Sequence, residues 1–453
     1  MAGHQPTLFH PGVWFKNFTL DRVANPRLPS SRRHSPQFTA VNLVIDNDVA
    51  ASSSIRVPII DPQTGVVRQE AVPFDSAAGG VPFEQNRIRN AAMFDSFDER
   101  LREAIHPIVQ DPIVTQLWKY ARAAASRCEN VSCAIAHARH AFEGDLGLNT
   151  LELPLSIVCQ SESFAAFTLT VLHDIERFQK IYNDSIRQYR AHHHIRSKAH
   201  PVPELGTTGD WFESPYWIYG DDSPQRKPLW IRQTGGVIEL SDFKGKQVVL
   251  TCKPGKLSAA AELTSLSGPN WKLRPRALMT TMYARMILSD LFIHGIGGAK
   301  YDQLGDQIMS RFFGITAPEM MVVSATVQLP IRDMLPVAKT VAELRQRLRD
   351  IRWAPESFAD EVSLPRELLT LKVDLLRRIP RDKAKSLWHE EVRNINVSLS
   401  ETLADKKASL MQELADAKRQ QVSRTLLNSR EHSYCLFNAD SLKNKFEAML
   451  ATD

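Results

Sequence analysis

The chain has 453 residues, 43% of them apolar and 24% charged, with a formal net charge of +5. That balance excludes wholesale disorder, and the length implies two or three structural units. The most apolar stretch, residues 288–296, is broken by Asp290 and His294, so a transmembrane helix, which needs about 18 apolar residues, is not expected. The first residues carry His4 and His10 instead of a basic segment and an apolar run, so a cytoplasmic protein is expected. The five cysteines (128, 133, 159, 252 and 435) form no Cys-x-x-Cys pair. Reduced, buried thiols are expected, not a disulfide framework or thiolate zinc. The mild positive charge suits an anionic small-molecule ligand. No concentrated basic stripe marks a nucleic-acid binder.

In chain order, Gly3-His4-Gln5-Pro6 leads into an aromatic stretch, residues 11–24, with Pro11 suited to a first helical turn. Residues 26–37, rich in Pro, Ser and Arg, read as a loop. Residues 38–46 form a nearly continuous apolar run, as in a strand buried on both faces of a parallel sheet. A strand should precede the Gly turn. Either the fold dispenses with it or it lies upstream of Met1. Residues 55–90 read as short strands and loops, and residues 94–145 as a helical insert with apolar positions three and four apart. A third apolar run, residues 153–159, precedes a long helix capped by Ser161 or Ser163 and reaching residue 191. Residues 200–270 alternate short runs with Gly, Asp and Pro, as in an antiparallel β insert.

Residues 276–289 then read as a helix, 290–296 as a strand, 295–298 as a glycine turn, 299–313 as a helix and 320–327 as a strand. This is the pattern of a parallel sheet with covering helices. From residue 340 to 427 the chain is almost wholly helical. Trp388, Val392, Ile395, Leu399, Leu403, Leu410, Leu414 and Ala417 recur at coiled-coil or helical-hairpin spacing. The expected fold is α/β: a Rossmann-like parallel-sheet core with a β-rich insert and a C-terminal helical coiled coil. The expected boundaries are a core over residues 1–335, a helical region over 336–430, and a segment over 431–453 that packs back on the core.

Three segments could carry chemistry. Gly3 permits a tight turn that would present His4, Gln5 and His10 to the crevice where strands end, against the plain alternative of a solvated terminus. Strand alternation would put Asp46 and Asp48 on one side of the chain and Asn47 opposite, suited to a sugar, an ammonium group or Mg²⁺. The competing reading is a polar loop start. His294, Gly295, Gly297, Gly298 and Tyr301 form a glycine segment that could approach a phosphate or merely pack a strand on a helix; Arg274 and Arg276 precede it. The segment fits neither a Walker loop nor a dinucleotide fingerprint. The run His192-His193-His194 reads as a solvated helix end more readily than as a metal tract. No His-Glu-x-x-His or Gly-x-Ser-x-Gly motif occurs.

Gly3-His4-Gln5-Pro6, Leu8-Phe9, Pro11-Gly12 and Lys16, then Ile45-Asp46-Asn47-Asp48, then Arg274-Pro275, residues 292–298, Tyr301 and Phe313-Gly314-Ile315 stand in a characteristic order. In that order and spacing the chain resembles the bacillithiol-biosynthesis cysteine-adding enzymes over about half its length. It departs from their motifs at His4, Ile45, Asn47 and Gly298–Ala299. The resemblance implies a nucleotide-dependent ligase or transferase joining a carboxylate, such as that of cysteine, to an amine or amino sugar. ATP or ADP with Mg²⁺ would be the cofactor, and a homodimer would form through the C-terminal helices. In that scheme His4 and His10 stabilise charge on a phosphate, and Asp48 acts as base. Gly3, Gln5, Asp46, Asn47, Arg274, His294, Gly295, Gly297, Gly298 and Tyr301 bind ligand. The alternative is a ligand-binding or assembly homologue without catalysis.

Overall fold

A computed structural model describes residues 1–25, 38–49, 51–76, 79–251, 256–330, 339–381 and 384–451. It contains two compact units. The first comprises Met1–Val57, Ala71–Gln328 and Arg430–Asp453, and the second Pro58–Glu70 with Leu329–Ser429. The expected loop at 26–37 lies outside the described residues.

The first unit opens with β1 (Ala2–His4), followed by α1 (Pro11–Ala24) and β2 (Val41–Val44). A hairpin of β3 (Ser54–Ile60) and β4 (Val67–Pro73) follows. Next come α2 (Ala91–Asp95), α3 (Phe97–Ile105), α4 (Val114–Cys128) and α5 (Val131–Asp145). The run at 153–159 divides between β5 (Leu151–Pro154) and α6 (Leu155–Val158). The long helix divides at His173–Asp174 into α7 (Glu162–Leu172), capped by Ser161, and α8 (Ile175–His192).

The insert is antiparallel: β6 (Thr207–Thr208), β7 (Trp211–Gly220), β8 (Ser223–Thr234), β9 (Val237–Ser241) and β10 (Gln247–Thr251). Beyond α9 (Lys256–Leu266), β11 (Lys272–Pro275) pairs with β7. The chain then forms α10 (Ala277–Tyr283), β12 (Phe292–Gly295), α11 (Ile296–Ile308) and β13 (Met320–Val323). A π-helical turn prolongs both α10 and α11.

Five strands make one parallel sheet in the order β13-β12-β1-β2-β5. The strand before the Gly segment is therefore present: it is the Gly segment itself, at the centre of the sheet. Gly3 is extended, not a turn, and a Cβ there would make only ordinary contacts, the nearest at 3.6 Å. From β1 the chain builds outward through β2 to β5, then crosses to the opposite side for β12 and β13, so the strand order reverses between β1 and β12. Alternation sends neighbouring residues of β12 to opposite faces. Ile293 packs with Ala2, Leu20 and Ala24 of the α1 side, whereas Phe292 joins Leu304 and Ile308 of α11 in the main core. Helices thus cover both faces, which buries the sheet as parallel strands require.

The second unit is helical: α12 (Val341–Trp353), α13 (Arg366–Arg377), α14 (Lys385–Glu401) and α15 (Ala404–Leu427). A capping box of Thr340 and Glu343 starts α12. Ile395, Leu399, Leu403, Leu410 and Ala417 are buried against Leu344, Ile351 and Phe358 of the same unit. Trp388 and Val392 are only partly buried. Residues 58–70, from the β3–β4 hairpin, group with these helices, which the expected boundaries did not include. The last helix, α16 (Ala439–Ala451), belongs to the first unit and sets Phe446 on Phe15 and Phe18.

No helix among the described residues is long and apolar enough to cross a membrane.

Candidate functional site

A cleft of about 740 Å³ lies over the carboxyl ends of β1, β2, β12 and β13. All its lining residues belong to the first unit. Ligands of open α/β sheets sit where the strand order reverses, and this cleft occupies that place. It gathers Gly3, His4, Gln5, His10, Asn47, Asp48, His294, Gly295, Gly297, Gly298 and Tyr301 from the expected site.

Asp46 and Arg274 are elsewhere. Because β2 stops at Val44 and the Asp46 amide turns back to the Val44 carbonyl (3.0 Å), strand alternation does not carry through to Asp48. Asp46 instead faces a second cavity of about 370 Å³, accepting from the Ser156 amide (2.9 Å) and hydroxyl (2.5 Å). Burial, with the nearby Glu84, raises its carboxyl to about 6. Arg274 is clamped by Glu84, with Nε and Nη2 each 2.9 Å from a carboxylate oxygen. Arg276 reaches the cleft in its place. Its guanidinium lies 4.0 Å from the centre of the Trp217 ring, and Nη2 donates to Glu213 (2.6 Å).

His4 is almost wholly buried at the end of β1. Its Nε2 lies 3.1 Å from Oδ1 of Asn17, while the Asn17 amide nitrogen donates to Glu143 Oε1 (2.6 Å), which also accepts from Trp14 Nε1 (2.7 Å). An amide that turns its nitrogen to a carboxylate must offer its oxygen to the histidine, so His4 carries its proton on Nε2. Nδ1 then holds a lone pair with no partner among the described residues. Burial first, then the charges of Arg139 and Lys16, hold the His4 pKa well below its ordinary value. A neutral ring in this tautomer accepts a hydrogen bond at Nδ1, a different part from the expected one of stabilising charge on a phosphate.

His10 is the N-cap of α1 and its Nδ1 accepts from the Gly12 amide (3.1 Å). Burial lowers its pKa too, so the ring is a structural cap with only Nε2–H to offer. Asp48 accepts from Gln5 (3.1 Å), the Val49 amide (2.8 Å) and Arg226 (3.1 Å). It is an ion-paired anchor for the cleft wall. Asn47 ties the end of β2 to the Pro275 carbonyl (2.7 Å).

The glycine segment also differs from expectation. The residues after Gly295 begin α11 directly, and no side chain caps that helix. Unbonded first-turn amides and the helix dipole favour an anion there. Asp302, fully buried in α11, accepts from Thr281 (2.6 Å) and Arg285 (2.8 Å), fixing this helix to α10. Gly298 leaves room for the His294 imidazole, which a Cβ there would displace. Gly295 and Gly297 face open space.

Burial lowers His294 to about 4; Asp302 opposes this and Lys16 adds to it. The native state therefore binds fewer protons than the unfolded chain between about pH 6.5 and 4, so this histidine's contribution is lost as pH falls through that window. Denaturant unfolding of a His294→Gln variant should show a smaller loss of stability on acidification than the parent. An identical pH slope would show that His294 titrates normally.

Besides Arg276, three cleft cations were not among the expected site residues. Arg226 and Arg430 carry acid partners, Asp48 and Glu431. Lys16 has none among the described residues: its Nζ donates to the Gly3 carbonyl at 2.5 Å. A lone lysine in Trp14-Phe15-Lys16-Asn17-Phe18 was the available signal, since that segment is otherwise built for burial.

Outside the cleft, His140, Glu143 and Glu152 bring possible ligand atoms within 4.8 Å of one another. Arg139, fully buried, already neutralises this group through Glu152 (2.8 and 2.6 Å) and Glu143 (3.5 Å). A cation there would meet a fixed positive charge. The three consecutive histidines are exposed at the end of α8.

No family model and no curated protein matches this chain.

Proposed function

We propose that the cleft binds ATP or ADP through the phosphates, and that the chain is a ligase or transferase joining a carboxylate to an amine or amino sugar. The carrying observation is the uncapped, glycine-rich start of α11, open to a cleft at the reversal of strand order. That order, with helices on both faces, supports a Rossmann-like core. A divalent ion would depend chiefly on the phosphates, since Asp48 is the one carboxylate among the described lining residues and is already paired.

A ligand that brings its own N–H or O–H would find an acceptor in His4 Nδ1. The carboxylate oxygen would first bond to the terminal phosphorus of ATP as ADP leaves with the bridging oxygen. The amine nitrogen would then bond to the acyl carbon as the acyl–oxygen bond breaks and the phosphate leaves with the electron pair. The amine proton would pass to solvent or to the departing phosphate, because neither His4 nor Asp48 is suited to keep it.

The same two residues favour a second reading, binding without turnover, since His4 resists protonation and Asp48 is held by Arg226. Thermal unfolding with ATP, ADP and glucosamine separates the cases. Nucleotide stabilises the parent by about 2.7 kcal/mol at a hundredfold excess over Kd, and Gly297→Glu, which places a carboxylate at the start of α11, loses that response. No response to either nucleotide would sink the proposal. Stabilisation without product from ATP, cysteine and glucosamine, read by mass spectrometry, would select binding alone.

The dimer and coiled coil belong to this proposal as well. With Leu399 and Leu410 buried within their own unit, a partner copy would have to use outward apolar residues such as Leu371, Leu376 and Leu387.

A further inference from the structure

We infer that Lys16 is the anchor for an anionic group of the ligand, a carboxylate or a phosphoryl group, seated at the floor of the cleft against β1. The inference rests on the cleft being the ligand site and adds what the ligand must carry there.

Lys16 is 7% exposed, yet among the described residues its ammonium has one hydrogen-bond partner, the Gly3 carbonyl, and no carboxylate within pairing distance. An ammonium has three donors, and burying one without a counter-ion is costly. Nearby charge makes this worse, since Arg139 is fully buried and repels it. Burial and Arg139 together bring the Lys16 pKa down to about 8.

Three other groups unsatisfied among the described residues line the same cleft, one of them His294, at Nε2. His4, 4% exposed, has no partner at Nδ1, and Arg276, 8% exposed, has none at Nε. Lys16, Arg276 and the α11 amides are donors around a space that, among the described lining residues, contains one carboxylate, already paired. A ligand anion would supply the counter-charge that the protein withholds. A group with a donor beside its anion, such as an amino acid or a singly protonated phosphate, would satisfy His4 at the same time.

A site of this kind destabilises the free protein, and the sign of that effect is the test. The full chain and Lys16→Met, which keeps the side-chain length and removes the charge, are unfolded thermally in chloride, inorganic phosphate and succinate at equal ionic strength. In chloride the variant should melt higher than the parent, on the order of 2–4 °C. The parent should gain over chloride in phosphate, in succinate or in both, and the variant should lose most of that gain. A response to phosphate alone assigns a phosphoryl group, and to succinate alone a carboxylate.

A variant that melts lower in chloride would make Lys16 a structural donor to Gly3 and overturn the inference. So would a parent that responds to neither anion, or a gain undiminished in the variant. An added ATP arm separates the two readings: a Lys16-dependent response to phosphate or succinate, with none to ATP, retires the nucleotide and leaves the anchor standing.

Discussion

Replacing Glu143 with leucine is expected to cost the first unit about 3–5 kcal/mol, the range for removing one partner of a buried charge pair. Glu143 is fully buried and one of its oxygens accepts from both Trp14 and Asn17. Its loss strands those donors and leaves Arg139 with Glu152 alone. Burial pushes the Glu143 carboxyl up to about 7, so a neutral amide imitates much of its native state. Glu143→Gln should therefore lose well under half as much in a denaturant titration. Equal losses for the two variants would show that charge, not the accepting oxygen, holds this network together. The leucine variant should also release Asn17, so that His4 no longer keeps one proton position.

Lysine at both Leu399 and Leu410 should unfold the helical unit without giving a well-folded monomer. Both leucines are fully buried beside Leu344 and Ile351. Losing such a side chain costs about 2–5 kcal/mol each before the burial of a charge is counted. Limited proteolysis should find new cleavage sites within residues 339–429, and sedimentation should show aggregation or an unchanged assembly. A helical, protease-resistant monomer would mean instead that the seam lies between two copies. These leucines were read from sequence spacing, which cannot distinguish a hairpin from a dimer. The burial of Leu344 and Ile351 against them favours the hairpin.

Much of the sheet could be read from sequence because parallel strands are short apolar runs bounded by turns. The runs around Leu43 and Ile293 carried that signal. The centre could not be read in the same way. Ala2-Gly3-His4 has neither length nor hydrophobicity, and it is a strand because two neighbours flank it. The segment after β2 misled for a related reason: period-two alternation ends with the hydrogen-bonded ladder, and two residues past Val44 it no longer assigns sides. Hence Asp46 and Asp48 parted. The roles of His4 and His10 were equally hidden, since the Asn17 amide and the Gly12 backbone set their proton positions, and neither contact leaves a mark in composition. Lys16 was visible as an oddity, but only the missing counter-ion gave it meaning.

The position of β1 has a bearing on how the cleft comes into existence. The Met1 amino group donates to the Leu291 carbonyl (2.7 Å), and Ala2 stands opposite Ile293. The first of these contacts spans 290 residues of chain. Contacts so distant in sequence close slowly and expose unpaired strand edges meanwhile. A growing polypeptide would hold one half of the cleft, with its lone lysine, for most of its synthesis before the other half arrives. The sheet centre and the floor of the cleft therefore share one requirement, the pairing of β1 with β12.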